Sequence, residues 1–192
     1  MRFKLLILLF CLGQIAISQT KNEKEERVSL TDFPEAAQTL IETLPKDCKR
    51  LRFYKETDGE KQSFEAKFKY KRRRYSLEFS KNGVIEDLEV QSKIRAIDDP
   101  IRNNITNYFD ATFTKSKLIK IQKQYIYYAE IEPELFLAQI LSGTTSIAPN
   151  FEIVAEVKIE KQRELRELTF DSSGVFLNYR TINPTSYEHV LY

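Results

Sequence analysis

Two hydrophobic periods alternate along the chain from Leu30 onward. Ala37, Leu40, Ile41 and Leu44 recur at i, i+3, i+4 and i+7, one face of a helix. Asp32 and Glu35 form a capping-box-like start, with Pro34 in the first turn, and Pro45 ends the helix. The period then falls to two. Leu51 and Phe53 alternate with Arg50, Arg52 and Tyr54. Phe64, Ala66, Phe68 and Tyr70 alternate with Glu65, Lys67 and Lys69, and Tyr75, Leu77 and Phe79 with Arg74, Ser76 and Glu78. Such runs are strands with one apolar and one wet face, as in an antiparallel sheet. Thr57 to Glu60 and Lys81 to Gly83 are turns. Pairing Tyr70 with Tyr75 around a loop of residues 71–74 sets Phe68 opposite Leu77, Ala66 opposite Phe79 and Lys67 opposite Glu78. That register agrees with both burial and charge.

The second half repeats this order. Asp99-Pro100 is a helix start, and Ile101, Ile105, Tyr108 and Phe109 share its apolar face. Leu118 to Lys123 is a strand, Phe151 to Ile159 alternates strictly, and Arg166, Leu168 and Phe170 lead into the Ser172-Ser173-Gly174 turn and a last strand from Val175 to Thr181. Leu77, Phe79, Gly83 and Val84 recur as Leu168, Phe170, Gly174 and Val175, displaced by 91 residues. At the first strand the displacement is only 68, from Leu51 and Phe53 to Ile119 and Ile121. The second copy therefore holds 23 additional residues, which fall between Lys123 and Phe151. Pro133 to Leu141 reads as a short amphipathic helix there, and an insertion of this size is a candidate functional element.

The pattern predicts an α+β fold of two α-β-β-β-β modules, residues 30–95 and 98–182. Each lays a helix on an antiparallel sheet, the sheets meeting edge to edge or face to face. The insertion covers about residues 124–150, and residues 183–192 form a tail. With no disulfide or evident metal site to staple either module, the two are expected to pack on each other.

The termini change the charge picture. Arg2 and Lys4, the apolar run Leu5 to Leu12 and Ala16-Ile17-Ser18 make a leader of residues 1–18, with Gln19 the expected mature start. The apolar run is well short of the roughly 20 residues that span a bilayer, so no transmembrane anchor is expected in the mature chain. Cys11 raises a lipoprotein reading, but Phe10 is too bulky for that cleavage site. Residues 19–29, polar and charged, read as a flexible segment. The chain has 30 Lys+Arg and 28 Asp+Glu; without Arg2 and Lys4 the signs balance, so nothing draws it to nucleic acid. Cys48 alone remains after leader removal, placed between a helix and a strand as a small hydrophobe or a route to an intermolecular bridge. The expected location is periplasmic or secreted.

Motifs that carry chemistry are scarce. His189 is the single histidine, and one His with one Cys cannot make the usual zinc sites. Five scattered glycines make no phosphate loop, and no calcium-loop run occurs. Glu152, Glu156 and Glu160 follow the polar beat of one strand and read as a solvated face. An enzyme using unpatterned carboxylates, such as a glycosidase, would need two of them paired in a cleft. No catalytic residue, cofactor or metal ligand is therefore assigned. Two surface features stand out. Lys71, Arg72, Arg73 and Arg74 form a basic tip, either a soluble hairpin end or a knob for an acidic partner. Tyr125, Tyr127 and Tyr128, with Leu135 and Phe136, form an aromatic-apolar patch, either packing over the core or contacting a partner. Asn104-Ile105-Thr106 matches a glycosylation pattern, though Ile105 is on a buried beat.

Leu44-Pro45, Asp58-Gly59, Phe64-Glu65-Ala66-Lys67-Phe68 and Asn82-Gly83 occupy, in order, the marker positions of a known unit. The stretch resembles the secreted PepSY-like, beta-lactamase-inhibitor-like domains of the Bacteroidetes envelope, in which tandem copies are common. The first half fits over residues 30–92; the second departs, with Phe113-Thr114 and Ser173-Gly174 at the marker positions and the insertion between. The resemblance implies an α+β fold, no catalytic residues and a non-enzymatic binding role. The expected function is a module recognising a protein or peptide of the cell envelope, in one form as an inhibitor of an envelope enzyme. The alternative is a carrier of a small ligand or lipid in a cavity between helices and sheet.

Overall fold

The computed structural model describes residues 19–183; the expected leader with Cys11, and the tail with His189, lie outside them. Thirteen elements follow in the order β1 (Gln19–Lys21), β2 (Glu23–Val28), α1 (Glu35–Glu42), β3 (Lys49–Asp58), β4 (Lys61–Tyr70), β5 (Arg73–Ser80), β6 (Ile85–Gln91), α2 (Asp99–Thr112), β7 (Lys115–Ile126), α3 (Pro133–Ser142), β8 (Asn150–Ile159), β9 (Gln162–Phe170) and β10 (Phe176–Ile182). The fold is α+β, with three helices against one ten-stranded sheet ordered β1-β10-β9-β8-β7-β6-β5-β4-β3-β2. Every neighbouring pair is antiparallel except β1 and β10.

The two edge strands of that order, β1 and β2, are one stretch of chain broken only at Asn22. Its first part pairs with β10 and its second with β3, so the sheet closes on itself. The Asn22 amide donates to Asp58 Oδ1 at 3.1 Å, and Arg180 Nη1 reaches 3.4 Å from Asp58 Oδ2 across the seam. Residues 19–29, expected as a flexible segment, are thus largely a structural strand. With Lys21, Glu23, Glu25 and Arg27 on one beat, they carry no apolar period to announce it. Their alternate charges instead meet charges inside the closed sheet, as in the Lys21–Glu167 and Lys67–Glu25 pairs.

Apolar beats face outward and are covered by helices. Phe64, Phe68, Leu77, Phe79 and Leu88 bury against Ala37, Leu40 and Ile41 of α1 and Phe136, Leu137, Ile140 and Leu141 of α3. Ile153, Val157, Leu168 and Phe170 bury against Ile105 and Phe109 of α2. Burying a Leu- or Phe-sized side chain contributes about 1.5–3 kcal/mol, so these two clusters dominate the fold's stabilisation. Cys48 is half-buried beside the first cluster. The repeated glycines are explained by close approach as well as by turn geometry. A Cβ on Gly83 would lie 2.8 Å from Pro34 Cβ at the start of α1, and one on Gly174 2.6 Å from the Ile101 carbonyl oxygen of α2.

The β4–β5 register differs from the expected one by two residues. Tyr70 pairs with Arg73, Phe68 with Tyr75 and Ala66 with Leu77, around a two-residue turn in which Lys71 and Arg72 have φ of 43° and 66°. A turn with two left-handed residues matches the right-handed twist of the flanking strands. A shift of two leaves every side chain on its expected face, but it sets Lys67 opposite Ser76 and Glu65 opposite Glu78.

Candidate functional site

Because the apolar beats face the helices, the polar beats of β1 to β10 converge inside the closed sheet. They enclose a cavity of about 160 Å³ lined by ten carboxylates and five cationic side chains. Glu152, expected on a solvated face, lines this cavity; Glu156 pairs instead with Arg163 near the outer end of β8, and Glu160 is exposed in the following turn. An alternating strand specifies a polar face, but only closure of the sheet decides that the face is internal.

Three cations organise the interior. Lys67 Nζ sits 2.8 Å from both Glu25 Oε1 and Glu65 Oε2 and lies over the Tyr54 ring at 4.9 Å. Lys21 Nζ is 2.9 Å from Glu23 and from Glu167, and Arg180 Nη2 is 2.6 Å from the other Glu167 oxygen. Burial alone would lower the Lys67 ammonium, but Glu65 and Glu25 raise it above its ordinary range. Burial would raise Glu167, yet Lys21 and then Arg180 hold it down at about 2. Glu56 has no such partner: burial, and then the Glu65 carboxylate, push it up to about 11. Burial and then Glu152 raise Asp87 to about 8, and burial with neighbouring carboxylates raises Glu78 and Glu89 well above the ordinary range.

One end of the interior opens into a mouth of about 310 Å³. Its rim carries Arg50, Arg52, Lys67, Lys69, Arg74 and Lys120, against the single carboxylate Glu65. Two bulges aim part of this set. The β3 register shifts between Lys49 and Arg52, where Arg50 adopts a φ of 57°, and the β7 register shifts between Leu118 and Lys120. A bulge re-aims a side chain at a local cost, and a left-handed non-glycine residue costs on the order of 1–2 kcal/mol. Among the described residues, Arg50, Arg52, Lys69, Arg74 and Lys120 make no ion pair. Ile119, Val154, Leu165 and Ile182 form a small apolar cluster, with Val154 and Ile182 buried.

The residues singled out from sequence fall in different places. Phe136 is fully buried, and Tyr127 stacks edge-on against it while its hydroxyl donates to the Ile131 carbonyl at 2.8 Å. Tyr125 is partly buried against the first cluster, whereas Tyr128 and Leu135 are exposed. The insertion's helix therefore covers the sheet beside α1. Lys71, Arg72, Arg73 and Arg74 are exposed at the β4–β5 tip, and of these Arg74 lines the mouth. Arg50, Arg52, Lys69 and Lys120 were missed: they are scattered over three strands, and only the bulges and closure bring them together. Asn104 of the glycosylation pattern donates its side-chain amide to the Ser173 carbonyl at 2.9 Å. Between helices and sheet, where the alternative reading placed a ligand cavity, the two apolar clusters fill most of the contact, and an open pocket of about 370 Å³ remains where Leu40 of α1, Ile85, Tyr127 and Pro133 of α3 meet.

No family model matches the chain, and no curated protein matches it. Solved structures do. A DUF2874 family protein from Bacteroides ovatus aligns over 78% of this chain and 87% of its own, with a TM-score of 0.51 at 10% identity. A proposed periplasmic protein from Bacteroides eggerthii aligns over 78% and 88%, with a TM-score of 0.50 at 10% identity. A BLIP-like protein from Bacteroides fragilis aligns over 78% and 86%, with a TM-score of 0.47 at 12% identity. No helix among the described residues is long and apolar enough to cross a membrane. At these identities the likeness is one of fold, which this chain shares with the Bacteroides ovatus and Bacteroides eggerthii proteins.

Proposed function

We propose that this chain is an exported, non-enzymatic binding module that seats an acidic segment of a protein or peptide at the basic mouth of its closed sheet. One observation carries the reading: six cationic side chains from β3, β4, β5 and β7 ring one opening, and five of them lack an ion-pair partner among the described residues. Cations held close together without counter-charges repel, and an anion relieves that repulsion. The left-handed backbone at Arg50 supports the same reading, since non-glycine residues held in that conformation outside tight turns cluster at binding sites. The acidic interior below the rim sets the depth. A carboxylate entering past Lys67 would meet Glu65 and Glu56, so the ligand sits across the rim. Arginine forks suit carboxylates in two-point contacts. Inhibition of an envelope enzyme would follow if the seated segment bordered that enzyme's own site.

The reading is tested by fluorescence anisotropy with a labelled hexaglutamate peptide at low salt. Saturable binding that weakens at least tenfold in an Arg52→Glu/Arg74→Glu variant, and falls steeply with ionic strength, supports it. Equal affinity of variant and parent chain, or affinity for a hexalysine peptide of the same size, overturns it.

A further inference from the structure

The enclosed cavity contains two groups of three carboxylates, and they are treated differently. Glu25, Glu56 and Glu65 bring oxygens within 4.8 Å of one another, as do Glu78, Asp87 and Glu89. The first group has its own cation, Lys67, whose Nζ lies 2.8 Å from Glu25 and from Glu65. In the second group no Lys or Arg lies within ion-pair distance among the described residues. Its members are forced together by the sheet itself. Glu78 is the direct cross-strand partner of Asp87, and Glu89 follows two residues on, on the same face of β6. Carboxylates placed directly opposite cannot both be ionised without destabilising the ladder unless a proton or a cation stands between them.

A separate observation concerns Asp87. The residue is 8% exposed, and its Oδ1 is buried with no hydrogen-bond partner. The other oxygen, Oδ2, accepts from Gln124 Nε2 at 3.0 Å, while Gln122 on the same strand donates to Glu89. Two amides on β7 therefore orient two of the three carboxylates and leave Asp87 Oδ1 without a donor. Supporting donors behind carboxylates that converge are the usual surroundings of metal ligands. Calcium and magnesium take carboxylate oxygens at about 2.0–2.6 Å, so oxygens on one ion lie within about 5 Å of each other, as these do.

We propose that Glu78, Asp87 and Glu89 bind one divalent cation of the hard, oxygen-seeking class, which takes the place that the Lys67 ammonium holds in the neighbouring group. The ligands come from two strands of a closed sheet, so a search for a contiguous calcium loop cannot find them. The site is distinct from the basic mouth and does not depend on what that mouth binds.

The test is calorimetric titration of the chelator-treated chain with calcium chloride and, separately, with magnesium chloride, alongside thermal unfolding. Saturable binding of one equivalent of either ion and a raised Tm are expected. Asp87→Asn and Glu89→Gln, which preserve shape, should each weaken binding at least tenfold, while Glu56→Gln leaves it within about twofold. Circular dichroism checks that each variant is folded, and the parent titration is decisive if one is not. Absence of saturable binding to the parent chain at millimolar ion overturns the proposal. So does undiminished binding in the folded Asp87→Asn or Glu89→Gln chain. Preference between the two ions identifies which member of the class the site takes.

Discussion

Arg180 on β10 stands 3.4 Å from Asp58 on β3, 122 residues away and near the opposite end of the strand order. The same guanidinium holds Glu167 at 2.6 Å, so it links the seam of the closed sheet to its polar interior. Removing one partner of a buried ion pair leaves an uncompensated charge and costs about 3–5 kcal/mol; the cost here is discounted to about 2–3 because Arg180 is partly exposed and Glu167 keeps Lys21. Arg180→Met should therefore lower unfolding free energy by about that amount in urea titrations. Asp58→Asn, at a longer and more exposed contact, should cost less than about 1 kcal/mol.

Glu56 and Glu167 should give stability opposite pH dependences. Glu56 is pushed up to about 11 from an ordinary 4.5, so the folded chain keeps a proton that the unfolded chain releases. Its contribution is whole below about 4.5 and declines as pH rises toward 11, by at most about 1.4 kcal/mol per pH unit. Glu167 is held at about 2, so its contribution is whole above 4.5 and is lost as pH falls toward 2. Urea titrations across pH should show Glu56→Gln flattening the neutral-to-alkaline limb and Glu167→Gln flattening the acid limb.

The turn glycines are not equivalent. Gly59 has a φ of 62° and open space where a Cβ would go, whereas Gly174 has a φ of 83° and the Ile101 carbonyl oxygen 2.6 Å from that point. Gly59→Ala should cost only the left-handed penalty of about 1–2 kcal/mol. Gly174→Ala must also move α2 or the turn, and should cost measurably more in thermal unfolding.

These glycines also show what the sequence makes legible. The repeated L-x-F-x-x-x-G-V stretches mark two hairpins whose turns press on two helices, and the local periods of α1, α2 and the strands follow from side-chain spacing alone. Closure does not. Residues 19–28 alternate between charges of both signs, and only their partners on β3 and β10 distinguish a strand from a solvated segment. The two-residue slip at β4–β5 was invisible to face assignment, since it preserves every beat. The candidate site was legible in Arg74 alone of its rim residues, because Arg50 and Lys120 enter through bulges that no period records.

Arg50 offers a test of whether the mouth is retained for binding. Arg50→Gly relieves a left-handed penalty of about 1–2 kcal/mol and adds a cost of about 0.5–1 for glycine's freedom in the unfolded chain, so it should raise stability by about 0.5–1 kcal/mol, while weakening hexaglutamate binding. Lys71→Ala/Arg72→Ala, at the exposed tip outside the mouth, should leave that affinity within about twofold. Urea titration and peptide anisotropy on the same preparations check both.

The most direct measurement is backbone amide mapping by nuclear magnetic resonance during titration of the folded chain with hexaglutamate. Saturable shifts confined to the strand ends carrying Arg50, Arg52, Lys69, Arg74 and Lys120 are the expected result. Shifts that do not saturate, or that cluster on Tyr128 and Leu135 of the exposed insertion instead, would contradict a binding module built around the basic mouth.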